Sequence, residues 1–432
     1  MHYLIIGNSA AGIGAVEAIR RHDAKSSVTI ISDEDYPVYS RCLLSYYIAG
    51  TIDAGRLRYR PSDFYQRMNV KPLLGRRVTA VIPDKQRVDC ADGGKIEYDK
   101  LLIATGGSPK IPANIPADLD GVFVLRKVSD AEAIMRKADT SEHAVVLGGG
   151  LVGLKAAFAL RKRRLKVTVV VRSPYVLSQM IDNDSAQIVM NRMSENGIDI
   201  QTGADVIETI EREGRLSAVK LERGGDTYEI PCDILIAAKG VRGNMDLIAD
   251  TDIKREWGII TDSNMRTNVE NIFAAGDVAE TFDIAVEQHA VNALWTCAVQ
   301  QGGIAGMNMA GIGRQYDGSI GMNSINFPGA DLISFGVVRP KEGEGYETMT
   351  VSRPEKGIYK KLVMKDNRIK GMILVNAVDN AGILLSLLSR KADISGYRDM
   401  LLSDNFSYGR ILGHGGEAEL QRYIYSGQSG KR

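Results

Sequence analysis

A short apolar run opens the chain, "YLIIG" at 3–7, and the pattern then changes to helical spacing between Gly12 and Arg21. A second apolar run, "SVTIIS" at 27–32, follows. This succession predicts a βαβ unit, with both strands buried. The pattern recurs at 144–171, where "AVVLGGG" predicts a strand, "LVGLKAAFALRKR" a helix and "KVTVVV" a strand. Two such units predict an α/β fold with doubly wound parallel sheets and two dinucleotide sites.

Between the units, "RVTAV", "RVDCAD" and "DKLLIATGG" predict strands separated by turns. After the second unit, residues 203–240 predict a meander ending in a buried strand, and a helix is expected over 286–309. A third pattern starts near 318. Strands are expected around 332–338, 346–352, 359–365 and 369–375, then a helix in "NAGILLSLLSRK". The tail, "SGQSGKR", is polar and predicts disorder. No short-period repeat is present.

Length and composition narrow the function classes. At 432 residues the chain is too long for one core. Hydrophobic residues at 44% and charged residues at 25% are ordinary for a globular protein. A net charge of +1 gives no electrostatic case for nucleic acid or an anionic membrane. No apolar stretch is long enough to span a bilayer, and the N-terminus lacks a signal-peptide pattern. Cys42, Cys90, Cys232 and Cys297 form no CxxC pair, and with only five histidines no metal-ligand set is expected. Free thiols in a reducing, cytoplasmic setting are the expectation.

The glycine loops carry the chemistry. In "GNSAAGIGA" at 7–15, Gly7 permits a tight turn, and Gly12 lets helix and strand approach. The helix N-terminus presents N–H groups to a pyrophosphate. Ser9 stands where a central glycine is usual. Asp33 and Glu34, at the end of the second strand, can accept ribose hydroxyls. The loop "GGGLVGLK" matches GxGxxG through Gly148, Gly150 and Gly153. Its second strand ends in Val171 and Arg172 rather than an acid. Arg172 either meets a 2′-phosphate, favouring NADP or tolerance of both nucleotides, or is an exposed turn charge. "LLIATGGSP" at 101–109 and "IFAAGDVA" at 272–279 are buried strands ending in small residues, and Asp277 can hydrogen-bond a polyol.

Taken in order, two glycine folds, ATGxxP and AAGD resemble the FAD- and NAD(P)-linked disulfide reductase superfamily of two-dinucleotide-binding flavoproteins, over nearly the whole chain. The resemblance implies two Rossmann-like nucleotide-binding domains plus a C-terminal α+β interface domain. FAD would occupy residues 1–110 and 244–317, NAD(P)H residues 111–243, and the interface domain residues 318–432. It assigns Gly7, Gly12, Glu34, Thr105 and Asp277 to FAD, and Gly148, Gly150 and Gly153 to NAD(P)H. Ser9, Ala10, Ala11, Asp33, Val78, Ala104, Gly106, Arg126, Gly276, Leu151, Val152, Arg172 and Gly240 complete the implied cofactor contacts. "YxRxxLSxxxxG" at 39–50 is similar to the nitrite reductase large-subunit and rubredoxin reductase branch, which carries Arg41 near the FAD phosphates. "GNSAAGIGA", "YSRCLLSYYIAG" and "VLSQMID" resemble FAD subunits that accompany iron–sulfur redox enzymes, among them carbon monoxide dehydrogenase, phenylglyoxylate dehydrogenase and tungsten aldehyde oxidoreductase. The implied activity is electron exchange between NAD(P)H and a rubredoxin, ferredoxin or iron–sulfur subunit, within an oligomer or hetero-complex.

Cys42 leaves an alternative open. It is expected at a helix N-terminus with Ser40 as cap and Arg41 adjacent, and both dipole and cation lower a thiol pKa. Cys42, Tyr47 and Gly50 also fit the Cys-x4-Tyr-x2-Gly register of NADH peroxidases and coenzyme A disulfide reductases. Against this, Leu43 follows the cysteine where those enzymes carry Gly, and Ala10 fills the place of a His in peroxide-reducing relatives. Cys42 is therefore either catalytic, in a thiol, disulfide or persulfide reductase or an NADH oxidase, or a packed apolar residue beside the flavin. A non-catalytic assembly subunit is a third reading. The basic run "RKRRLK" at 161–166 ends a helix and reads as a solvated face, and Lys155 replaces an acid common after this glycine loop.

Overall fold

The computed structural model describes residues 1–407 and Gly409, so the polar tail lies outside the described residues. The chain divides into two compact units, one of 1–176 with 197–319 and one of 177–196 with 320 onward. The elements that place the site lie in the first unit. They are strands β1 (His2–Ile6), β2 (Ser27–Ile31), β3 (Lys100–Ile103), β4 (His143–Leu147), β5 (Lys166–Val171), β6 (Ile234–Ala237) and β7 (Ile272–Ala274). The helices are α1 (Ala10–His22), α2 (Leu44–Ile48), α3 (Val128–Ala138), α4 (Leu151–Lys162) and α5 (Trp295–Met309).

Two five-stranded parallel sheets share one plan. The first runs β7-β3-β1-β2 and then Lys71–Leu73, with Ile5 beside both Ile30 and Leu102. In the second, Ile198–Thr202 lies at one edge, then β5, β4 and β6, and Val122–Phe123 at the other. Each glycine loop leaves the carboxyl end of a central strand, as a doubly wound sheet requires. Continuous apolar runs make strands buried on both faces; Leu4, Ile5, Val146, Leu147, Leu235 and Ile236 have no exposed surface.

Helix α1 packs on α5 almost backbone to backbone. A Cβ added at Gly302 would sit 2.0 Å from the Ala11 carbonyl oxygen, at Gly306 2.5 Å from that of Ala15, and at Gly14 2.6 Å from that of Val299. These glycines allow α5 to press against the helix that carries the first loop.

Residues 204–212, 215–223 and 226–231 form the expected meander, an antiparallel three-stranded sheet. One expectation needs correction. The helix expected over 286–309 begins only at Trp295, and Gln288–Ala290, with His289, is a strand paired to Ala279–Asp283. The buried Asp283 carboxylate accepts the N–H groups of Ala285 and Val286 and the Asn292 amide, which turns the chain before a helix can start. Helices α3 and Asn183–Glu195, and strand Met322–Phe327, stand where no element was expected.

The second unit holds a five-stranded antiparallel sheet, ordered 322–327, 330–336, 368–375, 358–365 and 347–353, with helices Asn183–Glu195 and Ala381–Ser389. Asp182 caps the first of these helices through Ser185 N–H and accepts Tyr359 Oη at 2.7 Å and Lys361 Nζ at 2.9 Å. Burial works to raise its pKa, but the hydrogen bonds from Ser185, Lys361 and Tyr359 win and hold it below the usual carboxylate range. No helix among the described residues is long and apolar enough to cross a membrane.

Candidate functional site

The first glycine loop opens onto a cavity of about 480 Å³ at the carboxyl end of the first sheet. Gly7 has φ +123°, and an added Cβ would meet the Ala104 carbonyl oxygen at 2.0 Å, so only glycine passes β3 here. A Cβ at Gly12 would meet the Gly7 carbonyl oxygen at the same 2.0 Å, which keeps α1 tight on its loop. Ser9 is the extended residue preceding α1, and its side chain makes no cap hydrogen bond. Ala10 and Ala11 are buried in the first turn.

Acids and arginines face each other across this cavity. Glu34 is gripped by Arg41 and accepts Tyr39 Oη at 2.7 Å. Arg41 also donates to the Arg126 carbonyl and to Tyr39 Oη, both at 2.9 Å. Burial works against the Arg41 cation, but Tyr39 and Glu34 outweigh it and its pKa lies above the ordinary value. Burial pushes the Tyr39 phenol up strongly, so it stays a donor to Glu34. Arg126 reaches Asp277 at 2.9 Å, and Lys127 reaches Asp33 at 2.9 Å. Val78, Thr105 and Gly106 complete the wall on the sequence-predicted side. Gly276, with φ +81°, turns the chain into Asp277, and its N–H donates to Gln301 at 2.8 Å.

Several lining residues carried no motif. Asn8 is buried, accepts Tyr65 Oη at 2.9 Å and lines the cavity. Asn244 ties down the "ATGGSP" turn: its carbonyl accepts Thr105 Oγ1, its Oδ1 accepts Ser108 Oγ, and its Nδ2 donates to the Thr105 carbonyl. Asp130 accepts the Arg126 and Lys127 N–H groups at 2.8 Å each, fixing the start of α3. Its place at the third helical residue is a capping signal readable in "RKVSD".

The second loop repeats the construction. Gly148 has φ +129° with an added Cβ 2.3 Å from the Ala238 carbonyl oxygen, and Gly153 would place one 2.1 Å from the Gly148 carbonyl oxygen. A Cβ at Gly150 meets open space. That opening, at the N-terminus of a 12-residue helix, suits a pyrophosphate lying close to backbone. Leu151 and the exposed Val152 start α4, Gly240 follows β6, and Arg172 stands exposed just past β5. The residues present therefore fit two dinucleotides, one per loop.

Cys42 is neither at a Ser40-capped helix N-terminus nor packed. It lies in a single 3-10 turn, Arg41–Leu43, ahead of the five-residue α2, and Ser40 makes no side-chain cap. Its side chain is exposed rather than packed. Desolvation by the surrounding protein raises the thiol pKa, and the nearby Lys155 cation only partly offsets this. Lys155 itself lies 4.9 Å from the Tyr46 ring centroid. Among the described residues, no group of three or more His, Cys, Asp and Glu is placed to hold a metal.

Comparison with known proteins gives concordant matches. The family described as pyridine nucleotide-disulphide oxidoreductase matches residues 1–302, and the rubredoxin NAD+ reductase C-terminal domain matches residues 322–392. The chain is 32% identical over 413 residues to the NADH-dependent phenylglyoxylate dehydrogenase subunit epsilon of Aromatoleum evansii, covering 95% of this chain and 96% of that one. It is 32% identical to an NADH oxidase of Methanocaldococcus jannaschii, over 73% of this chain and 71% of the relative. Among solved structures, the NAD-dependent persulfide reductase from A. fulgidus superposes with a TM-score of 0.85 at 25% identity, covering 94% of this chain and 80% of that one.

Proposed function

The chain belongs to the pyridine nucleotide-disulphide oxidoreductase family, an FAD- and NAD(P)H-using oxidoreductase, and we propose that it passes electrons between NAD(P)H and an iron–sulfur protein as the flavin subunit of a larger redox complex. Two dinucleotide cradles of the same construction on one unit carry this reading. Likeness along nearly the full length to a chain named as a dehydrogenase subunit supports the complex. When bound, FAD supplies the conversion between two-electron and one-electron carriers. In this reading Glu34 holds a ribose, held in aim by Arg41 and Tyr39, and Asp277, braced by Arg126, holds the ribityl chain. The α1 and α4 N-termini each take a pyrophosphate, and Gly150 leaves room for one of them. Residues 1–110 with 244–317, 111–243, and 318 onward are the FAD, NAD(P)H and interface portions, in a cytoplasmic protein.

The test is anaerobic. NADH should bleach the yellow absorbance, and an added ferredoxin or rubredoxin should restore it within the mixing time of a stopped-flow instrument. A protein purified without yellow absorbance would favour an assembly role instead. A second reading, a thiol or persulfide reductase or an NADH oxidase, is favoured by the exposure of Cys42. Cys42→Ser separates the two. The electron-transfer reading expects at least half of the wild-type rate of NADH-driven dye reduction, whereas a loss of tenfold or more would transfer the chemistry to the thiol. For Arg172, the wild type should accept NADPH, and Arg172→Ala should raise the KM for NADPH about tenfold while leaving NADH unchanged. Equal effects on both nucleotides would make Arg172 a mere turn charge.

A further inference from the structure

The basic run that ends α4 makes a surface with more positive charge than the fold requires. The chain as a whole carries only +1. Arg163, the C-cap of α4, is committed: it donates to Asp139 at 2.5 Å and to the carbonyl of Ile48, the last residue of α2, at 3.1 Å. Lys162, Arg164 and Lys166 are exposed and make no ion pair among the described residues. They surround a concavity of about 570 Å³, which is also lined by the paired Arg163 and Asp139 and by Glu142. Arg161, in the last turn, complements the helix dipole without Arg164 and Lys166, which lie past the helix end.

Arg164 has φ +72°, the left-handed conformation common just past a helix end, where glycine is the favoured residue.

Resting on the reading that the one-electron partner is an iron–sulfur chain, we propose that Lys162, Arg164 and Lys166 form the docking surface for an acidic iron–sulfur protein. Clusters held by cysteine thiolates carry net negative charge, so the cluster end of such a partner is anionic. A cationic concavity complements it and steers its approach. Arg163 fastens the patch to the carbonyl of Ile48 at the end of α2.

The test measures binding of the full-length protein to an acidic plant-type [2Fe–2S] ferredoxin by titration calorimetry, at low and at high salt. The triple variant Lys162→Glu, Arg164→Glu, Lys166→Glu should bind at least tenfold more weakly at low salt, and wild-type binding should weaken as salt rises. NADH-driven reduction of menadione, an uncharged acceptor, should be unchanged in the variant. Arg164→Gly guards against misfolding: it relieves the left-handed residue, so its melting temperature should hold or rise while ferredoxin affinity falls severalfold. Weakened binding supports the surface whether or not electrons pass, and binding without electron transfer would count against the functional reading alone. Equal binding by wild type and both variants, or no binding by any, overturns the surface.

Discussion

Gly302→Val should yield a protein that purifies largely colourless and melts well below the wild type. The cause is a steric chain from helix packing to the cofactor. At Gly302 even a single added carbon would lie 2.0 Å from the Ala11 carbonyl oxygen and 2.7 Å from its Cα. Backbone atoms cannot rotate aside as side-chain ends can, so α5 must move off α1. Overpacking of this kind costs about 1–3 kcal/mol, and occasionally more. The displaced segment is the first turn of α1, which carries the Gly7–Gly12 loop, and Gly276 lies against both Ala11 and Ala298 of α5. One valine therefore disturbs the proposed pyrophosphate cradle and the Asp277 turn together. Gly303→Ala is the matched control: nothing lies within 4 Å of its added Cβ, and a helical Gly→Ala exchange gains up to about 1 kcal/mol. Flavin absorbance per protein and a thermal melt read both variants. Full flavin content and an unchanged melt for Gly302→Val would show that α5 does not brace the loop.

That prediction rests on what the residues alone left hidden. Apolar runs and glycine loops are local signals, so both βαβ units and both loops could be read directly. Gly14, Gly302 and Gly306 look like weak points in helices until the partner backbone is known. The strand Gln288–Ala290 depends on Asp283 collecting two N–H groups and an amide, a contact that no helical periodicity reports. Helix α3 was missed although its Asp130 cap is a legible signal, because its apolar residues are spread among charges. In the site, Glu34 and Asp277 were legible as acids at strand ends. That Arg41 and Tyr39 close on the first, and Arg126 on the second, required the tertiary fold. Cys42 is the converse case. Its register suggested a capped helix start and an activated thiol, while the chain makes an uncapped 3-10 turn there and desolvation raises the pKa.

Gly150→Val should do the opposite of Gly302→Val: keep the fold and the flavin, and lose the pyridine nucleotide. Of the three glycines in the second loop, Gly148 and Gly153 are required by the protein's own backbone, with added carbons at 2.3 and 2.1 Å from carbonyl oxygens. Gly150 is not. Its backbone is extended at φ −82°, ψ 179°, which any residue adopts, and its added Cβ meets open space. The remaining reason for a glycine there is a ligand that needs the space. Its counterpart in the first loop is Ser9, also extended, which shows that the turn itself accepts a small side chain. The series Gly150→Ser, Gly150→Val is therefore expected to be graded. Serine should raise the KM for NADH severalfold. Valine blocks the approach to the α4 N–H groups, each such bond to a charged oxygen being worth about 1.5–3 kcal/mol, so KM should rise tenfold or more. Flavin content and melting temperature should stay at wild-type values in both. A valine variant with unchanged KM would mean that the nucleotide does not approach α4 at Gly150, and the assignment of the second loop would have to be withdrawn.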